Sequence, residues 1–369
     1  MAIGATPAPE TWNLADPIPH VFDVAGPRSD GTLVVAAAGK LFLLDPSTGA
    51  LKPFAGGPGG YPGAGGEEPY IAVAPASQVG NASFPPGDVF VLQLKPSGGI
   101  LRIDPSGVAH QFANVTGVDS LNGITFDETG QFGYRLLVTG PHAHHTTVAA
   151  IDGEGQVSVI TRQAPIVEGG IAVAPPGFGK FAGDLIAPDE LSGKLYAISP
   201  DGASHVIARP DFAHGGDVGV EGVGFIPEAD ISGVTAYFAD RGTPGNPHPG
   251  SDNLLALTGP QLARAGARPG DALVATEGGA GMVAVRCDLA VCTVIPIIHD
   301  NGVSHGEGHI LVVLGTPSRV FGPAPASLRS ESTGIPTTLV ATLIVGGGLV
   351  VALLFWSVRR RRDIVKGNS

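Results

Sequence analysis

Five short segments of this sequence bring an oxygen-bearing side chain to nearly the same point: "GEEPYIAV", "DSLNGITF", "IVEGGIAV", "GVEGVGF" and "HGEGHILV". Counted back from the first apolar residue that follows, Glu68, Glu168 and Glu307 share one position, and Asn122 and Glu221 occupy the next. Carboxylates that converge repel one another unless a cation or a proton compensates them. A hard divalent cation, calcium above all, takes six to eight oxygens and suits such a ring. The alternative is that these groups cap strand ends or bond to the backbone of the glycines beside them. The expected metal set is therefore Glu68, Asn122, Glu168, Glu221 and Glu307.

Histidines supply a second kind of chemistry. His142, His144 and His145 stand together in "GPHAHHTT", and His214, His248, His299 and His305 fall in other polar loops. Imidazole is the usual general base near neutral pH. His144 and His145 are the expected catalytic pair, against the plainer reading of surface histidines in long loops. No H-E-x-x-H, no G-x-S-x-G and no phosphate-binding glycine loop is present.

These residues need a frame that aims them at one place, and an internal repeat supplies it. "GDVFVLQLKPSGGILRIDPSGVAHQFANV" from Gly87 and "GDLIAPDELSGKLYAISPDGASHVIA" from Gly183 both read as strand, loop, strand, tight turn, strand. Segments from Gly31, Tyr134, Val234 and Gly270 follow the same plan. The turns "DPSG" and "SPDG" carry the Pro and Gly that tight turns demand. Between the segments lie short strands rich in small residues, "YIAVAP", "GITFD", "GIAVAP" and "GVGFIP", as expected of strands crowded around an axis. Four strands per unit, about 50 residues apart, predict an all-β, six-bladed β-propeller over 20–314. "GHILVVL" from Gly308 is expected to be a further inner strand, closing the ring against the N-terminal blade. "GPQLARAGARPG" is the one candidate for a turn of helix. In a propeller, the loop entering each inner strand and the loop joining the second and third strands open on one face. The oxygen ring and the histidine loops are expected there.

The segments "LNGITF" and "GEGH" resemble those of the gluconolactonase and senescence-marker-protein group of six-bladed propellers. That resemblance implies a divalent ion on the axis, held by Glu, Asn and Asp, that activates a lactone carbonyl. Asn122 and Glu307 match as ligands; Glu221 stands where the group has Asp, and "GEGH" lies late in the chain where the group's Glu-Gly segment is early.

Composition sets the location. The chain has 369 residues with 56 Gly, 33 Pro and 15% charged residues. A net charge of −12 argues against a nucleic-acid partner. From Leu339 to Val358, 20 residues pass without a charge, enough for a helix of roughly 30 Å, the thickness of a hydrocarbon core. Four arginines, Arg359 to Arg362, follow and place the end of the chain in the cytoplasm. The expected layout is an extension at 1–19, the propeller at 20–314, a Pro- and Ser-rich stalk at 315–338, a membrane helix at 339–358 and a basic tail at 359–369. The opening "MAIGATPAPETWNLADPIPH" has no basic or apolar leader region, so the reading expects a start upstream of it; a tail-anchored protein is the alternative. Cys287 and Cys292 are close enough to face each other across a hairpin as a disulfide, which an oxidising compartment would keep. Two buried thiols, or less readily a metal pair, are the other readings. Two functions fit: a metal-dependent lactonase or esterase displayed on the cell membrane, or a non-catalytic surface module binding sugar, peptide or protein. Either would meet a small-molecule or cell-surface ligand.

Overall fold

A computed structural model describes residues 9–63, 69–75, 84–93, 98–315 and 321–323. These belong to a compact unit spanning Met1–Leu328. The predicted membrane helix and basic tail lie outside the described residues, as does most of the stalk. Among the described residues, no helix is long and apolar enough to cross a membrane.

The chain folds into six antiparallel sheets, the blades of a propeller. Blade 1 runs from its inner strand Val21–Ala25 through Leu33–Ala37 and Lys40–Leu44 to Leu51–Phe54. Blade 2 is Ile71–Val73, Val89–Gln93, Gly99–Ile103 and Ala109–Asn114. Blade 3 is Gly123–Phe126, Leu136–His142, His145–Ile151 and Val157–Ala164. Blade 4 is Ala172–Val173, Leu185–Asp189, Lys194–Ile198 and Ser204–Ala208. The second strand of blade 1, Leu33–Ala37, is a continuous apolar run, buried throughout because both faces of its sheet are packed. Phe84, Phe90, Phe112 and Phe126 interlock edge to face between blades 2 and 3.

The last two blades depart from the order in the sequence. Val220–Phe225, expected to lead into the strand that follows it, pairs instead with Ala272–Thr276 and heads blade 5, completed by Met282–Cys287 and Cys292–Ile298. Val234–Asp240 and Asn253–Thr258 cross to blade 6, where Gly306–Leu314 is the inner strand. The inner strands of blades 5 and 6 touch so closely that a Cβ on Gly224 would lie 1.9 Å from the Ile310 oxygen. A chain leaving one blade is therefore already beside the next. A short helix, Gly259–Arg264, within the "GPQLARAGARPG" stretch, turns the chain back to blade 5.

Blade 6 is completed by the N-terminus. Asn13–Pro17, read from sequence as part of an extension, is its fourth strand, antiparallel to Asn253–Thr258. Gly322–Pro323, read as stalk, pairs on the outside of that strand. Trp12 anchors the join: it is buried, and its Nε1 donates to the Ala280 carbonyl at 2.8 Å. Ring closure thus joins the two ends of the propeller within one sheet, and "GHILVVL" lies in the inner strand of that sheet, against blade 1 through His309 and Asp23, as expected.

The outer turns follow the repeat. Asp45, Asp104 and Asp152 each accept from the backbone N–H two residues on, at 2.8, 2.9 and 3.0 Å. In blade 5 the corresponding turn is closed covalently: Cys287 and Cys292 are cross-strand partners and form a disulfide.

Asp184, beside the first turn of blade 4, supplies a test of local electrostatics. Burial raises its carboxyl to about 6, with His205 pulling it back and Asp201 pushing it up. A carboxyl raised in the folded state costs nothing below its unfolded value near 3.8 and its full penalty above 6. Asp184→Asn is therefore expected to raise stability at pH 8 by on the order of 1 kcal/mol, after discounting for partial exposure. The gain should vanish by pH 3.5. Melting curves of both proteins across this range would show it, and an equal shift at both ends would exclude burial of the charge as the cause.

Candidate functional site

The antiparallel order of each blade puts the loop entering the inner strand and the turn between the second and third strands on one face, the upper face. Three of those turns begin with a charged residue at the same place. Glu190, Glu277 and Arg241 each follow directly on the second strand of blades 4, 5 and 6.

Glu277 is the hub. Its backbone is fixed on both sides: its N–H donates to Gly219 O at 2.8 Å and its carbonyl accepts from Gly306 N at 2.7 Å. Its carboxylate lies 3.0 Å from His305 Nε2, which is also 3.2 Å from the Glu307 carboxylate. His305 is held by its own N–H, which donates to Asp240 Oδ1 at 2.7 Å. Arg241 Nη1 reaches Glu307 at 3.1 Å. Glu277, His305 and Glu307 are all buried, and each offers a ligand atom within 4.8 Å of the others. A second group, Glu190, Asp217 and Glu277, meets the same limit. Among the described residues these are the two such groups.

The charges here are under strain. Burial, a hydrogen bond with Glu190 and the charges of Glu307, Glu190 and Asp217 push the Glu277 carboxyl up to about 11, so it holds a proton at neutral pH. Burial, together with the charges of Glu307, Glu277 and Glu168, raises Glu221 well above the usual carboxylate range. His305 Nδ1 is buried with no hydrogen-bond partner. Buried carboxylates crowded around one imidazole nitrogen are suited to gaining a cation in place of protons. The 3.0 and 3.2 Å separations are close to the roughly 3–3.5 Å between ligand atoms around an ion bound at 2.0–2.2 Å. The residues present therefore fit a divalent cation.

The sequence-predicted ligands are distributed differently. Glu307 joins the cluster. Glu221 turns to the axis, where its carboxylate accepts from the Tyr70 hydroxyl at 2.7 Å. Asn122 spends both ends of its amide on neighbours: Nδ2 donates to Val167 O at 2.9 Å, and Oδ1 accepts from Thr139 Oγ1 at 3.1 Å. Glu168 is exposed, and its charge acts on Glu221. Glu68 lies outside the described residues. His144 and His145 are exposed at the hairpin tip of blade 3, next to His142, which faces Asp119 at 3.2 Å. Neither belongs to a cluster of ligand atoms.

Sequence reasoning did not single out Glu277, Glu190, Asp217 or Arg241. The signal was present in the repeat, since three of them share the first position after a second strand. It was masked because carboxylates at the inner-strand starts form a pattern of their own along the chain.

Beside the cluster, over blades 6 and 1, opens a cleft of about 740 Å³ lined by His20, Gly39, Arg241, Thr243 and Asn246 among others. Arg241 therefore links cleft and cluster.

The axis below is filled. His309 crosses it from blade 6, with Nδ1 3.0 Å from Asp23 of blade 1 and Nε2 2.7 Å from Ile124 O of blade 3. The Tyr70–Glu221 bond crosses it from blade 2 to blade 5.

No protein-family model matches the sequence, and no curated protein matches it. Several solved structures are similar at low identity. Virginiamycin B lyase from Staphylococcus aureus is 13% identical, with a TM-score of 0.39 over 80% of this chain and 90% of that one. A protein provisionally named TolB from Agrobacterium tumefaciens is 11% identical, with a TM-score of 0.44 over 80% of this chain and 90% of that one. A protein provisionally named a gluconolactonase is 14% identical, with a TM-score of 0.37 over 63% of this chain and 71% of that one. The six sheets make the chain a six-bladed β-propeller, the fold that the resemblance stated from the sequence implied.

Proposed function

We propose that this propeller is a hydrolase of ester or lactone carbonyls that works with a divalent cation on its upper face. The observation that carries the reading is the buried Glu277–His305–Glu307 group beside a cleft that shares Arg241. In this reading those three side chains hold the ion. When bound, a divalent ion acts as a Lewis acid and lowers the pKa of a coordinated water. Arg241 lines the cleft with a fixed positive charge, suited to a substrate carboxylate or to the oxygen that gains charge during acyl transfer. Asp240, buried, accepts from the backbone N–H of His305 and fixes the backbone that carries the imidazole. The disulfide favours an oxidising location, and in this reading the propeller lies outside the cell, anchored by the apolar segment at 339–358.

The test is the metal content of the purified chain after dialysis, a melt with and without chelator, and a screen of small esters and lactones. The expected result is at least one retained divalent ion, a melt that falls on chelation, and turnover that Glu307→Gln lowers by about 100-fold or more in kcat/KM. An ion-free chain with an unchanged melt would sink the metal reading. A metal-bound chain that turns over none of these substrates would sink hydrolysis and leave a surface binding module.

A further inference from the structure

We infer that the upper face holds two divalent cations, not one, with Glu277 as the carboxylate shared between them. The inference rests on the reading of Glu277, His305 and Glu307 as ligands of the first ion. The second site is Glu190, Asp217 and Glu277, whose carboxylate oxygens lie within 4.8 Å of one another.

An acidic cluster alone would not justify an ion. What singles this one out is Glu190. The residue is only 8% exposed, yet its Oε1 is buried with no hydrogen-bond partner. A buried carboxylate oxygen with nothing to accept costs free energy that a bound cation would recover. Glu190 is built into place: its carbonyl accepts from Gly215 N at 3.0 Å, and a Cβ on Gly219 would lie 2.0 Å from that same oxygen. The loop between Ser204–Ala208 of blade 4 and Val220–Phe225 of blade 5 therefore packs directly on the Glu190 backbone and carries Asp217. Asp217 is exposed, which gives the site an open side for entry and for water ligands.

The two sites differ in chemistry. The first has an imidazole and suits a borderline transition ion. The second has oxygen donors only and suits a hard ion such as calcium, magnesium or manganese. A carboxylate has two oxygens, so Glu277 can serve one ion on each side. Ions bridged in this way stand about 3.5–4 Å apart.

Manganese is the probe, because it fits both sites and reports its neighbours. The purified full chain would be dialysed against Mn²⁺, counted by elemental analysis and examined by electron paramagnetic resonance. Two ions per chain with an exchange-coupled spectrum are expected. Glu190→Gln and Asp217→Asn, each checked for an intact melt, should weaken the second ion at least about 10-fold and leave one ion with an uncoupled six-line spectrum. Asp217 is on the surface, so its variant remains informative if Glu190→Gln fails to fold. One ion in the parent chain would overturn the second site and leave the proposed function standing. No ion at all would overturn both. Two ions persisting in both variants would overturn Glu190 and Asp217 as ligands.

Discussion

Asp23→Ala is expected to cost the propeller about 3–5 kcal/mol, a large share of the roughly 5–15 kcal/mol that holds a domain folded. Asp23 is fully buried at the axis. It accepts from the backbone N–H groups of Val24, Ile71 and His309, at 2.8, 2.8 and 2.9 Å. It thereby ties blade 1 to blade 2 and to blade 6. It also faces His309 Nδ1 at 3.0 Å, while the other ring nitrogen lies 2.7 Å from Ile124 O. Both nitrogens face acceptors, so the ring is a cation donating twice. Burial lowers the pKa of His309, but the charge of Asp23 and the hydrogen bonds outweigh it and leave the value raised. Alanine would strand that cation and three backbone donors at once. Denaturant unfolding followed by circular dichroism at pH 6 would measure the loss, and a change below about 1 kcal/mol would refute the axial tie. Asp23→Asn combined with His309→Gln should lose less than the sum of the single variants, because neither then leaves a lone buried charge. The sign with pH follows. A histidine raised in the folded state contributes its full stability below about 6.5, and that contribution is lost as pH rises through the elevated value.

Gly170→Val should have an effect of similar size, about 3 kcal/mol or more, through packing alone. A Cβ at Gly170 would lie 2.5 Å from the Gly308 oxygen, 2.7 Å from His309 Cα and 2.9 Å from the Gly308 carbonyl carbon. All three are backbone atoms, which no rotamer change can clear. The same residue hydrogen-bonds to blade 5: its N–H donates to Glu221 O, and its carbonyl accepts from Val223 N, both at 2.9 Å. Relieving the clash would open the contacts between blades 4, 5 and 6 together. A melting temperature within a few degrees of the parent would show that the inner strands can yield and that the axis is less solid than these contacts imply.

Several features were legible in the residues themselves. The spacing of short apolar runs and of Asp-Pro and Pro-Asp-Gly turns marked the strands of blades 1 to 4, because turn chemistry and period-two burial are local. Cys287 and Cys292 were paired by their separation within a hairpin, which fixes who faces whom. The inner strands announced themselves by glycine, since Gly123, Gly170 and Gly222 leave room where six strands converge.

Tertiary structure alone decided three others. Which inner strand belongs to which late blade was not readable, because "GVGF" and "GHILVV" have equivalent patterns and strand pairing is specified by distant partners. The role of Asn13–Pro17 depended on a partner more than two hundred residues away, at Asn253–Thr258. The candidate cluster mixes two kinds of position, the start of an inner strand for His305 and Glu307 and the start of a turn for Glu277 and Glu190. A repeat aligned along the chain keeps those positions apart. Only the curvature of adjacent blades, with Gly306 N bonded to Glu277 O at 2.7 Å, brings the two registers to one point.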